Sequence, residues 1–129
     1  MSKKSLPRPT DAELEILKVL WRRGPSTVRD VFETLGEARG TGYTTVLKLM
    51  QIMATKGLVE RDEGERAHRY EAALAEDETQ RRLVGDLLRK AFDGSAKNLI
   101  LQALSSERAT GEELAEIRRM LDELERGER

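Results

Sequence analysis

Residues 42–72 read GYTTVLKLMQIMATKGLVERDEGERAHRYEA, and the fold turns on this stretch. Val46, Leu49, Met50 and Met53 recur at i, i+3, i+4 and i+7, so Tyr43 to about Lys56 is expected to form a helix with one apolar face. Gly57 is placed to end it. Leu58–Arg61 then reads as a strand, Asp62–Arg66 with Gly64 as a turn, and Ala67–Glu71 as a returning strand with Tyr70 pointing inward. His68 shares strand parity with Tyr70 and is expected to be packed or half-buried rather than a metal ligand.

Upstream, Thr10 and Glu13 have the form of a capping box, and Leu14, Leu17 and Trp21 follow at helical spacing until Gly24-Pro25. Ser26 or Thr27 can cap a short second helix with the stripe Val28, Val31, Phe32 and Leu35, ended at Gly36. A glycine-containing connection from Glu37 to Gly42 leads back to the third helix. Three helices and then a hairpin is the order of a winged helix-turn-helix.

Downstream of Leu74 the period is helical only. One stripe, Leu83, Val84, Leu87, Leu88, Ala91 and Phe92, ends at Asp93-Gly94. A second, Leu99, Ile100, Ala103 and Leu104, can be capped by Ser95, and Thr110 with Glu113 opens a last helix carrying Leu114, Ile117, Leu121 and Leu124. The expected fold is mainly α: a winged helix-turn-helix over residues 1–75 and a C-terminal helical dimerisation segment over 76–129. Separated amphipathic helices of this size bury little surface alone, so pairing with a second copy is the better way to cover them. The expected dimerisation residues are Leu83, Leu87, Phe92, Leu99, Leu104, Leu114, Ile117, Leu121 and Leu124.

Composition narrows the function. In 129 residues there is no cysteine, which removes disulfides, thiolate metal sites and a cysteine nucleophile. A single histidine leaves no Ser/His/Asp set, no phosphate-binding glycine loop is present, and Glu112, Glu113, Glu116, Asp122 and Glu123 read as surface charge, so the chain is not expected to be an enzyme. The basic start Met1–Ser5 has no apolar run after it, and no stretch approaches the roughly 18 apolar residues of a membrane span. No membrane insertion, a cytoplasmic location and no metal or cofactor are expected. The net charge is only −1, but residues 1–75 carry +2 and residues 76–129 carry −3, which puts the positive charge in the N-terminal module.

The polar face of the third helix carries Thr44, Lys48, Gln51 and Thr55 with Thr45 at its flank, and no acid. Hydroxyls, an amide, an ammonium and threonine methyls are the groups a helix in the major groove needs to meet base edges and phosphates. Arg66 and Arg69 on the hairpin are placed to neutralise flanking phosphates. The rival reading is a winged-helix module for protein–protein contact, which a weak salt dependence of DNA binding would favour.

TDAELEILKVLW, the segment quoted at the outset and TGEELAEIRRMLDELE together resemble, in order, three segments of the penicillinase-repressor family (BlaI/MecI/CopY type) over nearly the whole chain. Its most specific pieces are Tyr43-Thr44-Thr45-Val46, Lys56-Gly57-Leu58-Val59 and Gly111-Glu112-Glu113-Leu114. The resemblance implies a homodimeric repressor on a (pseudo)palindromic operator, with base-edge contacts from Thr44, Thr45 and Lys48 and further contacts from Tyr43, Gln51, Arg66 and Arg69. The implied partners are double-stranded operator DNA, a second copy of the chain, and a sensor or antirepressor protein. This chain departs from the pattern in three places. Ile52 stands where many relatives have an arginine, Gln102-Ala103 stands where β-lactam-responsive members are cleaved at Asn-Phe, and the cysteine-rich tail of copper-responsive members is missing.

Overall fold

The structure is a computed structural model that describes residues 7–36, 40–64, 66–106 and 108–127. The basic start Met1–Ser5, the Glu37–Arg39 part of the connection and Glu65 in the hairpin turn lie outside them. The element order is α1 (Asp11–Arg23), α2 (Val28–Leu35), α3 (Tyr43–Lys56), β1 (Val59–Asp62), β2 (Arg69–Ala72), α4 (Glu76–Ala91), α5 (Ala96–Ser106) and α6 (Gly111–Glu125). The chain divides into two compact units, Met1–Leu83 and Val84–Arg129.

Local chemistry sets the helix ends. The Thr10 hydroxyl accepts from the Glu13 N–H at 3.2 Å while the Glu13 carboxylate accepts from the Thr10 N–H at 2.9 Å, closing the expected capping box. Of the two candidates for the second cap, Thr27 takes the role, exchanging 3.1 Å bonds with Asp30. Those bonds, helped by the charges of Arg23 and Arg69 and opposed by partial burial, hold the Asp30 carboxyl below its ordinary pKa. Ser26 is instead buried, and its backbone exchanges 2.9 and 2.7 Å bonds with Tyr70, a single antiparallel bridge that ties it to the two-stranded β1–β2 hairpin.

The core of the first unit is aliphatic, as a chain with few aromatics requires. Ile16, Leu17, Val19 and Leu20 of α1 meet Val28 and Val31 of α2, Val46, Met50 and Met53 of α3, and Leu58, Val59 and Tyr70 of the hairpin. Leu14 and Trp21, expected on the α1 stripe, pack at its margin, because α1 is covered from two sides and its deepest positions lie between them. The Trp21 indole N–H donates to the Leu74 carbonyl at 3.0 Å, so its polar edge is satisfied. Leu58 precedes the first strand rather than opening it: Gly57 adopts a left-handed conformation with φ 86°, and the Leu58 N–H returns to the Met53 carbonyl at 2.9 Å. The returning strand likewise begins at Arg69 rather than Ala67. His68 therefore lies before the alternation starts and is exposed, against the expectation that it packs with Tyr70.

Glu13 has a second task that its capping role does not announce. It is 1% exposed, and its other carboxylate oxygen accepts from Lys56 Nζ at 2.8 Å, joining the first turn of α1 to the last turn of α3. Burial pushes the carboxyl pKa up, but the bond and charge of Lys56 with the bonds from Thr10 outweigh it and hold the group below its ordinary value.

In the second unit the helix stripes form as expected. The Ser95 hydroxyl accepts from the Asn98 N–H at 3.1 Å and the Thr110 hydroxyl from the Glu113 N–H at 3.0 Å. None of its described residues is fully buried, and Leu87, Leu104, Leu121 and Leu124 are exposed. Among the described residues no helix is long and apolar enough to cross a membrane.

Removing Lys56 leaves a buried carboxylate without its cation, and because Lys56 is itself about a third exposed, water replaces part of the loss. Lys56→Met should cost on the order of 2 kcal/mol at pH 7, read from chemical denaturation. A carboxyl whose folded pKa is depressed contributes stability above its unfolded pKa of about 4.3 and loses it as pH falls through the folded value. The difference between wild type and Lys56→Met should therefore shrink steadily below about pH 4. A difference independent of pH would contradict the ion-pair account.

Candidate nucleic-acid interface

α3 is built to be two-sided. Val46, Met50 and Met53 on one side are completely buried, whereas Thr44, Thr45, Lys48, Gln51 and Thr55 on the other are all exposed. The helical period brings the sequence-predicted residues onto one surface. No acidic residue occurs anywhere in α3, and Gly42 gives its first turn no side-chain cap. The Thr55 hydroxyl donates back to the Gln51 backbone carbonyl at 3.2 Å.

Tyr43, at the head of this surface, is held from α2. The Phe32 ring meets it edge to face with centroids 5.8 Å apart, and the Arg29 guanidinium lies 5.1 Å from its centroid. Arg29 is mostly exposed, and its contact with Glu33 is a loose 3.9 Å. The sequence reading passed over Arg29, although a cation on the outer side of the helix preceding α3 is a signal that could have marked it. It places a fixed positive charge beside the start of α3.

The hairpin contributes mixed charge. Arg66 and Arg69 are both exposed, and Arg69 lies close enough to Asp30 to help hold that carboxyl ionised. Arg61 grips Glu63 with 2.8 and 3.1 Å bonds that, with its charge, hold the Glu63 carboxyl below its ordinary pKa, and His68 on the same hairpin is exposed rather than part of the core. The Gly64 N–H donates to Asp62 at 2.9 Å and tightens the turn. Among the described residues, no group of three or more His, Asp and Glu is arranged to hold a metal ion. The exposed side of α3 offers donors, acceptors, methyls and a cation, the groups that meet base edges and phosphates in a groove.

Known proteins share this architecture. A family model described as Penicillinase repressor matches residues 9–123. The transcriptional regulator BlaI of Mycobacterium tuberculosis is 38% identical over 123 residues, covering 95% of this chain and 88% of that protein. The penicillinase repressor of Bacillus licheniformis is 23% identical over 120 residues, 93% of this chain and 94% of its own. Among solved structures, the DNA-binding domain of the repressor BlaI superposes with a TM-score of 0.50 at 25% identity, covering 59% of this chain and 90% of that one. Monomeric BlaI of Bacillus licheniformis in complex with the blaP half-operator superposes with a TM-score of 0.50 at 23% identity, covering 57% and 89%, a likeness of fold. The N-terminal helices and hairpin are thus the winged helix of these repressors, and the chain belongs to the penicillinase repressor family, a family of transcriptional regulators rather than enzymes.

Proposed function

We propose that this chain represses transcription in the cytoplasm as a homodimer bound to a (pseudo)palindromic operator. The observation that carries the reading is the acid-free exposed face of α3, opposite three fully buried residues of the same helix. Thr44, Thr45 and Lys48 meet base edges, Gln51 and Tyr43 support them, and Arg66 and Arg69 neutralise phosphates beside the groove. The BlaI structure with a half-operator supports a duplex as the ligand, and a half-operator under one subunit supports a full site under two.

The dimer is supported by the C-terminal unit, whose exposed Leu87, Leu104, Leu121 and Leu124 and half-buried Phe92, Leu99, Leu114 and Ile117, continued by half-buried Leu83 at the end of the first unit, are a large apolar allotment for a unit with no buried residue among those described. Residues 76–129 form the dimerisation region in this reading, and 1–75 the DNA-binding domain. A sensor or antirepressor protein delivers the inducing signal, and Gln102-Ala103 in α5 offers it no Asn-Phe bond to cut.

Gel shifts on DNA from upstream of the chain's own gene, with non-specific competitor at two salt concentrations, test the reading. A discrete, competitor-resistant, salt-sensitive complex with two subunits per site is expected. Lys48→Ala should weaken it about ten-fold and relax discrimination at one base pair, whereas Arg66→Ala should weaken all sequences alike and flatten the log–log salt slope by about 1. Unchanged binding by Lys48→Ala would remove α3 from the interface. A charge in the apolar stripe, Leu121→Glu, should turn the dimer into monomers in sedimentation and weaken operator binding through lost bivalency, with the first unit still folded.

A further inference from the structure

The first unit leaves two large apolar side chains exposed among its described residues, Tyr43 at 38% and Ile52 at 37%, and both lie on α3. Tyr43 has its account on the page, since Phe32 meets its ring and Arg29 covers its face. Ile52 has no such cover. It follows Lys48 by one turn and Thr45 by two, so Thr45, Lys48 and Ile52 form one ridge at i, i+3 and i+7 along the exposed side of the helix. That is the spacing with which a recognition helix lying along a major groove reaches successive base pairs.

We propose that Ile52 is a specificity-determining residue that packs against the 5-methyl group of a thymine in the major groove. This rests on the reading of α3 as the operator-binding helix. The thymine methyl is the one apolar group that a base pair presents there, and cytosine carries only a hydrogen at the same place, with an amino group where thymine has O4. A β-branched side chain in a helix has essentially one χ1 rotamer, so the Ile52 methyls are aimed before DNA arrives and lose little freedom on contact. A polar side chain at this place on the ridge could hydrogen-bond to several bases. An isoleucine rewards one and leaves the polar edges of the others unpaired. The ridge thus combines hydrogen-bonding readout at Thr45 and Lys48 with apolar readout at Ile52.

The test uses the full chain and a duplex that it selects from random-sequence DNA. Each thymine of the selected duplex is replaced in turn by deoxyuridine, which deletes the methyl and keeps every hydrogen-bonding group. At one position per half-site the wild type should lose about three- to five-fold in affinity, the value of one buried methyl. Ile52→Ala should bind the thymine and deoxyuridine forms of that position equally while keeping the wild-type response elsewhere, and Ile52→Val should restore part of the preference. A deoxyuridine profile identical in wild type and Ile52→Ala overturns the proposal and leaves operator binding intact. Failure of the wild type to select any competitor-resistant duplex overturns the operator reading, and this proposal with it.

Discussion

α3 has to be clamped on one side and bare on the other, and the rest of the first unit follows from that constraint. Val46, Met50 and Met53 supply the clamped side, and burying side chains of this size contributes about 1.5–3 kcal/mol each. α1, α2 and the hairpin are the surfaces that receive them. Glu13 and Lys56 fix the far end of the helix in an ion pair whose carboxylate is buried, a costly arrangement that is offset only because the same carboxylate also closes the α1 capping box. Gly57 then turns the chain sharply into β1, and the Ser26–Tyr70 bridge ties the hairpin back beside the start of α2. Each contact limits how far α3 can roll, and a rolled helix would present Leu49 or Leu47 where Lys48 now stands.

The second unit obeys the opposite economy. Its helices are capped and regular, yet none of its described residues is deeply buried, so local helix propensity and capping are satisfied before tertiary burial is. An apolar stripe in that condition is a surface waiting for cover. The homodimer reading supplies the cover from an identical stripe, and twofold symmetry then provides one copy of α3 for each half of a palindromic site.

What could be read from the sequence was what short-range physics decides. Thr10, Thr27, Ser95 and Thr110 cap where their spacing from the next helix says they should, and the i, i+3, i+4, i+7 pattern of α3 places its buried and exposed sides correctly. What escaped depends on partners distant in the chain. Glu13 was recognisable as a cap, but its pairing with Lys56 spans 43 residues and has no local signature. Ser26 looked like a second cap candidate, and only the arrival of Tyr70 makes it a bridge. His68 was misplaced because period-two alternation was extended two residues ahead of the strand, to Ala67. Arg29 escaped because an exposed cation on α2 acquires meaning only beside the Tyr43 ring, and Ile52, marked in the sequence as a departure from the family's arginine, shows its exposure beside Lys48 only in the structure.

The absence of cysteine gives direct access to the central claim, that the outer face of α3 lies in the major groove of a specific duplex. A single Gln51→Cys substitution creates a unique attachment point for an iron chelate, and hydroxyl radicals released from it cut only the DNA within reach. The account predicts two short clusters of cuts on the selected duplex, related by its twofold axis and centred on the major-groove edge of each half-site. An intact complex whose DNA is cut evenly, or not at all, would place α3 away from the groove and contradict it.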